Sequence, residues 1–244
     1  MDLVSQIIKF NSQTSGRDKL CRFFQYGSKC SWWYLQKLST DKTFTEKAKK
    51  LENTLSATRK LLRFGKSFEM VQEALTTIHL NDVFLRVTIT IAKLNTAVYL
   101  LIDHILWAEK VGLLVLLNKK YYRELSAQFW LVTLILNLSR DLYEILESLK
   151  KASGYNKSKT DNKSCMPNGM VANGDMLQLQ LLHKCLINNP PLALDTMKNA
   201  ADILLPLSIL GFIRISPGQQ GILGIISSFI GIMTVWNSAL RLRP

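Results

Sequence analysis

The chain has 244 residues, 48% of them apolar, and its 31 basic side chains against 18 acidic ones leave a net charge of +13. A mean hydropathy of +0.09 is high for a protein bathed only in water and too low for a multi-spanning transporter. The basic excess calls for an anionic partner, and four cysteines with no CxxC pair speak against both a disulfide scaffold and a zinc site.

In chain order, residues 1–38 read as helix. Leu3, Val4, Ile7 and Ile8 form a short apolar stripe, and Gly16 and Gly27 are expected to interrupt the helical run. The N-terminus lacks the basic and apolar regions of a signal peptide. A new helix is expected after Thr40-Asp41. Its apolar positions Phe44, Ala48, Leu51, Leu55 and Leu62 recur at steps of three and four, with Thr58 in the missing place. The other faces are basic. From Lys42 to Lys66 there are eight basic and two acidic residues, and Gly65 is expected to close the helix. Such a helix fits the plane of lipid headgroups, and it equally fits the solvated face of a bundle. The residues that would bind membrane are Leu51, Leu55, Arg59, Lys60, Leu62, Arg63 and Lys66.

The stretch 84–105 is mostly apolar but contains Lys93, with Arg86, Asp103 and His104 near its ends. A central charge costs about 2.5–3.5 kcal/mol on insertion scales, which flanking apolar residues can offset. A span, an interfacial helix and a buried bundle helix all satisfy this arithmetic. Phe129 to Leu149 repeats the pattern, with Thr133, Asn137, Arg140, Asp141, Glu144 and Glu147 as a polar stripe and Arg140–Glu144 as an i,i+4 pair. Residues 152–176 read as a linker rich in Ser, Asn, Lys and Gly.

A further helix is expected to start at Asn189-Pro190-Pro191, where proline suits the first turn. It would place Asp195, Lys198, Asn199 and Asp202 opposite its apolar face and break at Pro206. From Ile215 to Leu240, 26 residues carry no charge. A span needs roughly 20, so a C-terminal anchor is expected at about 219–239. Within it Gly224, Ser227, Ser228 and Gly231 make small-xxx-small pairs suited to self-association. No segment alternates with period two. The expected fold is all-α, with membrane-associated amphipathic helices, a C-terminal transmembrane helix and a second span. Its expected regions are 1–82, 83–151, 152–176 and 177–244.

No phosphate-binding loop, nucleophile elbow or HExxH motif occurs, so neither enzyme activity nor a cofactor, metal or nucleic-acid partner is expected. Several collinear stretches resemble the peroxin-eleven family of peroxisomal membrane proteins, of the vertebrate alpha/beta type. They are Gly16–Tyr26, Lys50–Gly65, Leu94–Trp107, Leu138–Ile145, Pro190–Asp202 and the glycine-serine run from Gly221. The resemblance implies a peroxisomal membrane protein that elongates the organelle before division. It implies insertion of the helix matching Lys50–Gly65 into the cytosolic leaflet, a cytosolic C-terminus and homo-oligomers. It also implies association with a tail-anchored fission adaptor and a dynamin-like GTPase, and import by the receptor for peroxisomal membrane proteins. Ala57 and Thr58 stand where a wider apolar stripe would strengthen insertion. A metabolite-permeable channel is the alternative role, with the polar stripes of 86–104 and 133–147 lining a path.

Overall fold

The structure is a computed structural model that describes residues 2–38, 42–161, 182–183 and 185–242, with 152–161 described for their backbone only. Among these residues it is entirely helical, as expected. The helices are α1 (Leu3–Ser12), α2 (Thr14–Lys37), α3 (Lys42–Leu62), α4 (Lys66–Thr77), α5 (Val83–Lys110), α6 (Lys119–Asp161), α7 (Pro190–Ile209) and α8 (Pro217–Trp236). A single 3₁₀ turn, Ser238–Leu240, follows.

Most boundaries have a local cause. Gly65 takes φ +80°, a conformation that side chains with a Cβ rarely adopt, and so separates α3 from α4. Asp82 caps α5 by accepting from the Leu85 amide. Ser216 and Gln219 cap α8 reciprocally, each side chain bonding the other's backbone N–H.

Three expectations need correction. The break in the first region falls at Gln13, whose backbone is extended, and α2 runs unbroken through Gly16 and Gly27. Gly16 serves close approach instead, since a Cβ there would lie 2.2 Å from the Phe10 carbonyl oxygen. Pro206 does not end α7, which continues to Ile209 with Pro206 buried inside it. The region expected to be a linker is helical at its start, because α6 extends to Asp161 and no proline precedes Pro167. The rest of that linker, 162–176, lies outside the described residues.

Helix contacts run in a closed circuit. α2 packs on α3 and α8, α8 on α7, α7 on α6, α6 on α5, and α5 returns to α3, with α4 against α5 and α1 against α2. The small residues of α8 make its contact with α2 possible. A Cβ on Gly224 would lie 2.1 Å from the Tyr26 ring, and one on Gly221 would lie 2.9 Å from the Cys30 backbone nitrogen. Gly224, Ser227, Ser228 and Gly231, the residues expected to pair with a second copy, are all buried. Their face is occupied by α2 of the same chain, because glycine lets two backbones approach more closely than lipid tails or a second helix with larger side chains would.

Among the described residues two helices are long and apolar enough to cross a membrane, α5 and α8. At 1.5 Å per residue they reach about 42 Å and 30 Å, against a hydrocarbon core of about 30 Å.

Gly221→Ala pushes a methyl group into backbone and is expected to cost about 1–3 kcal/mol by overpacking. Thermal unfolding of the purified protein in detergent measures it. An unchanged midpoint would mean that α2 and α8 do not pack as described.

Candidate functional site

The helices carry their polar residues at the spacing that puts them on one face. Asp18 and Arg22 of α2, Tyr99 and Asp103 of α5, and Arg59 of α3 with Arg63 just past its end are each four apart, so each pair lies on one stripe. The circuit of helices turns these stripes toward one another. Arg59 Nε donates to Asp18 Oδ1 at 3.0 Å, and Arg63 Nη2 donates to Asp103 Oδ2 at 2.7 Å. Lys60 Nζ reaches Asp103 Oδ1 at 2.8 Å, and Arg63 Nη1 donates to the Tyr99 hydroxyl at 3.3 Å. Arg22 closes the layer by donating to Asp202 of α7.

A second layer joins α6 to α7. Arg140 holds Asp141 at 2.7 Å and also pairs with Asp195. Asn199 donates to Asp141 at 3.0 Å and to Asp195 at 3.1 Å. Asp141 is 0% exposed and Asn199 1%. The Arg140–Glu144 pair expected from spacing is present but long, at 3.9 Å. Asp195, Lys198, Asn199 and Asp202 were expected opposite the apolar face, where a soluble helix would turn them to water. Instead they lie buried or half-buried in the bundle.

The outside is apolar. On α5, Val87, Ile91, Leu94, Val98, Leu101 and Ile105 are exposed at steps of four and three. Phe64, Phe68, Val71, Leu75 and Ile78 repeat that spacing along α4, and Ile222, Ile226, Phe229 and Trp236 do so along α8. Phe68 is 77% exposed. A soluble bundle hides such stripes in its core and turns its charges to water. Here the arrangement is reversed, as it must be for helices packed in hydrocarbon, whose ionisable residues face the bundle interior and pair there.

The residues expected to bind membrane divide accordingly. Leu51 is half exposed, while Leu55 and Leu62 are half-buried. Arg59, Lys60 and Arg63, expected to meet lipid headgroups, turn inward to Asp18 and Asp103. Lys66 Nζ approaches Ser15 Oγ at 3.5 Å. The exposed basic residues of α3 are Lys42, Lys47 and Lys50, beside exposed Phe44, Leu51 and Leu61. The inward network was missed because each charge was read on its own helix. An aspartate amid apolar residues, as Asp103 is, was the available signal.

Among the described residues no group of three or more His, Cys, Asp or Glu could hold a metal ion. What this interior can do is lock helices together. The family model for Peroxisomal biogenesis factor 11 (PEX11) matches residues 4–236. The chain belongs to the PEX11 family. Among its relatives, Peroxisomal membrane protein 11B of Homo sapiens is 34% identical over 255 residues, covering 97% of this chain and 98% of the relative. Peroxisomal membrane protein 11A of Homo sapiens is 36% identical over 240 residues, covering 96% and 97%. A fungal relative, Peroxisomal membrane protein PMP30B of Candida boidinii, is 29% identical over 250 residues, covering 97% and 95%. No solved structure matches this PEX11-family chain.

Burial opposes ionisation of Asp18, but Arg59, Lys19, Arg63 and Arg22 outweigh it and hold the carboxyl at about 2. A carboxyl whose folded pKa is depressed stabilises the fold above its unfolded value, near 3.8, and loses that contribution as pH falls toward 2. Asp18→Asn is therefore expected to flatten the acid limb of stability between pH 4 and pH 2, in circular-dichroism melts compared with the parent. Identical acid limbs would count against the network.

Removing one partner of a buried pair costs about 3–5 kcal/mol, whereas replacing both by apolar residues costs far less. Asp202→Asn is expected to fall in that range, and the Arg22→Met/Asp202→Leu double variant to recover most of the loss. A double variant as unstable as the single one would contradict this account of the pair.

Proposed function

We propose that the protein is a non-enzymatic peroxisomal membrane protein that remodels and elongates the membrane and so promotes peroxisome division. The observation that carries this reading is the apolar exterior of α4, α5 and α8 around a charged interior, in a chain of the PEX11 family. α3 and α4 meet at Gly65, so the exposed Lys42, Lys47 and Lys50 lie on the helix that leads directly into the exposed Phe64 and Phe68. Basic side chains near anionic headgroups contribute about 1 kcal/mol each, and an amphipathic helix sits about 5–10 Å into the interface. Held there by the α5 and α8 spans, α3 would add area to one leaflet and bend it.

In this reading Phe44, Leu51 and Leu61 are the inserting residues, and Arg59, Lys60 and Arg63 fix the helix to the spans. Anionic lipids are the direct partners. Homo-oligomers, a fission adaptor with its dynamin-like GTPase, the import receptor for peroxisomal membrane proteins and a cytosolic C-terminus complete the proposal. Self-association would use surface other than the Gly224–Gly231 face, which α2 covers. The channel reading is less well supported, since Asp103 of one polar stripe is taken up by Lys60 and Arg63, and Arg140 and Asp141 of the other pair with each other.

The test is reconstitution of the full chain in anionic liposomes beside a Phe44→Glu/Leu51→Glu variant. Both residues are exposed, so the fold is expected to persist while membrane tubules are lost. Tubules of equal number from parent and variant, or none from either, would overturn the mechanism. Conductance across the same bilayers would instead favour the channel.

A further inference from the structure

A cavity of about 710 Å³ opens where the C-terminal end of α8 meets α1, and its wall is drawn from α1, α2, α4, α5, α6, α7 and α8. Seven basic side chains line it against one carboxylate among the described residues, Asp195. Three of the seven are compensated: Lys93 pairs with Glu73, Lys198 with Asp195, and Arg140 with Asp141 and Asp195. The other four are Lys9, Lys19, Lys66 and Arg241, and they make no ion pair among the described residues.

Ordinary surface lysines avoid one another by reaching into water. Lys19 cannot do so. It is half-buried, and its stem is pressed against α8, where a Cβ on Gly231 would lie 3.0 Å from its Cδ. Burial lowers the Lys19 pKa to about 7; Asp18 opposes the fall, while Arg22, Lys198 and Lys66 add to it. An ammonium so placed shares Asp18 with Arg59 and Arg63, and a bound anion would supply a counter-charge of its own. One side of the cavity is apolar, with Phe10, Met70, Ile89 and Trp236 on its wall. The volume falls within the range of about 300–1,000 Å³ typical of sites for small organic ligands.

We propose that this cavity binds a phosphate monoester whose dianion sits among Lys9, Lys19, Lys66 and Arg241 and whose apolar remainder lies against Phe10 and Trp236. A soluble phosphate ester and the headgroup of a monoester lipid share this chemistry. The site is independent of the membrane-bending face of α3, so it stands or falls apart from the remodelling reading.

The test uses the full chain in phosphatidylcholine nanodiscs. One arm titrates phenyl phosphate, and the other replaces part of the lipid with phosphatidic acid. Thermal stabilisation that saturates with ligand is the readout. Lys19→Met is expected to weaken binding at least about tenfold, the loss of one charge-assisted contact. Lys9→Gln/Arg241→Gln is expected to do the same from exposed positions, which keeps the test decisive if Lys19→Met does not fold. Lys120→Gln/Lys151→Gln, at exposed positions of α6 that the cavity does not include, is expected to change nothing. Saturation by phenyl phosphate assigns a soluble ester, and saturation by phosphatidic acid alone assigns a lipid. No saturable effect from either probe overturns the proposal, and so does an equal loss in the α6 variant.

Discussion

The structure depends on the pairing of charges that cannot reach water. Asp18, Arg59, Arg63 and Asp103 link α2, α3 and α5 in one chain of contacts, and Arg22 with Asp202 ties α2 to α7. An unpaired ion in such surroundings costs several kcal/mol, so each helix has to be placed where its charge meets a partner. This requirement fixes the rotation of α2, α3, α5, α6 and α7 about their axes. Once the charged stripe of α5 faces inward, its apolar stripe faces outward with no further instruction, whereas α8, which carries no charge, is oriented by the glycines that lie against α2.

Helix packing follows from the same constraint. Lipid tails are as apolar as leucine, so burying leucine between helices in a membrane gains little. The contact of α2 with α8 relies instead on Gly221 and Gly224, whose lack of a Cβ lets Cys30 and Tyr26 come close. The Ser227 and Ser228 hydroxyls are satisfied within α8 by the Gly224 carbonyl. Polar groups thus supply the specificity between helices, and small residues supply the proximity.

Much of this was legible in the sequence. The uncharged run from Ile215, the proline start at Pro190 and the stop at Gly65 each have a local cause, and each appears at or near the expected place. Side-chain direction was less legible. Arg59 and Arg63 have a spacing that suits either lipid headgroups or an interior carboxylate, and only the position of Asp18 and Asp103 on other helices decides between them. Pro206 looked like a terminator, but packing inside α7 holds the helix beyond it. The small residues of α8 announced a close helix contact, expected with a second copy, and α2 of the same chain lies against Gly221, Gly224 and Gly231 instead.

The account turns on which surface meets lipid. Spin labels placed one at a time at Leu94 and Leu101 on α5 and at Ile222 and Phe229 on α8, in a cysteine-free background reconstituted in bilayers, test it most directly. Collisions with dissolved oxygen should be frequent at all four positions and collisions with a water-soluble nickel chelate rare. Frequent nickel collisions along either stripe would show that it faces water, and would contradict a bundle with its charges inside and its apolar surface in the membrane.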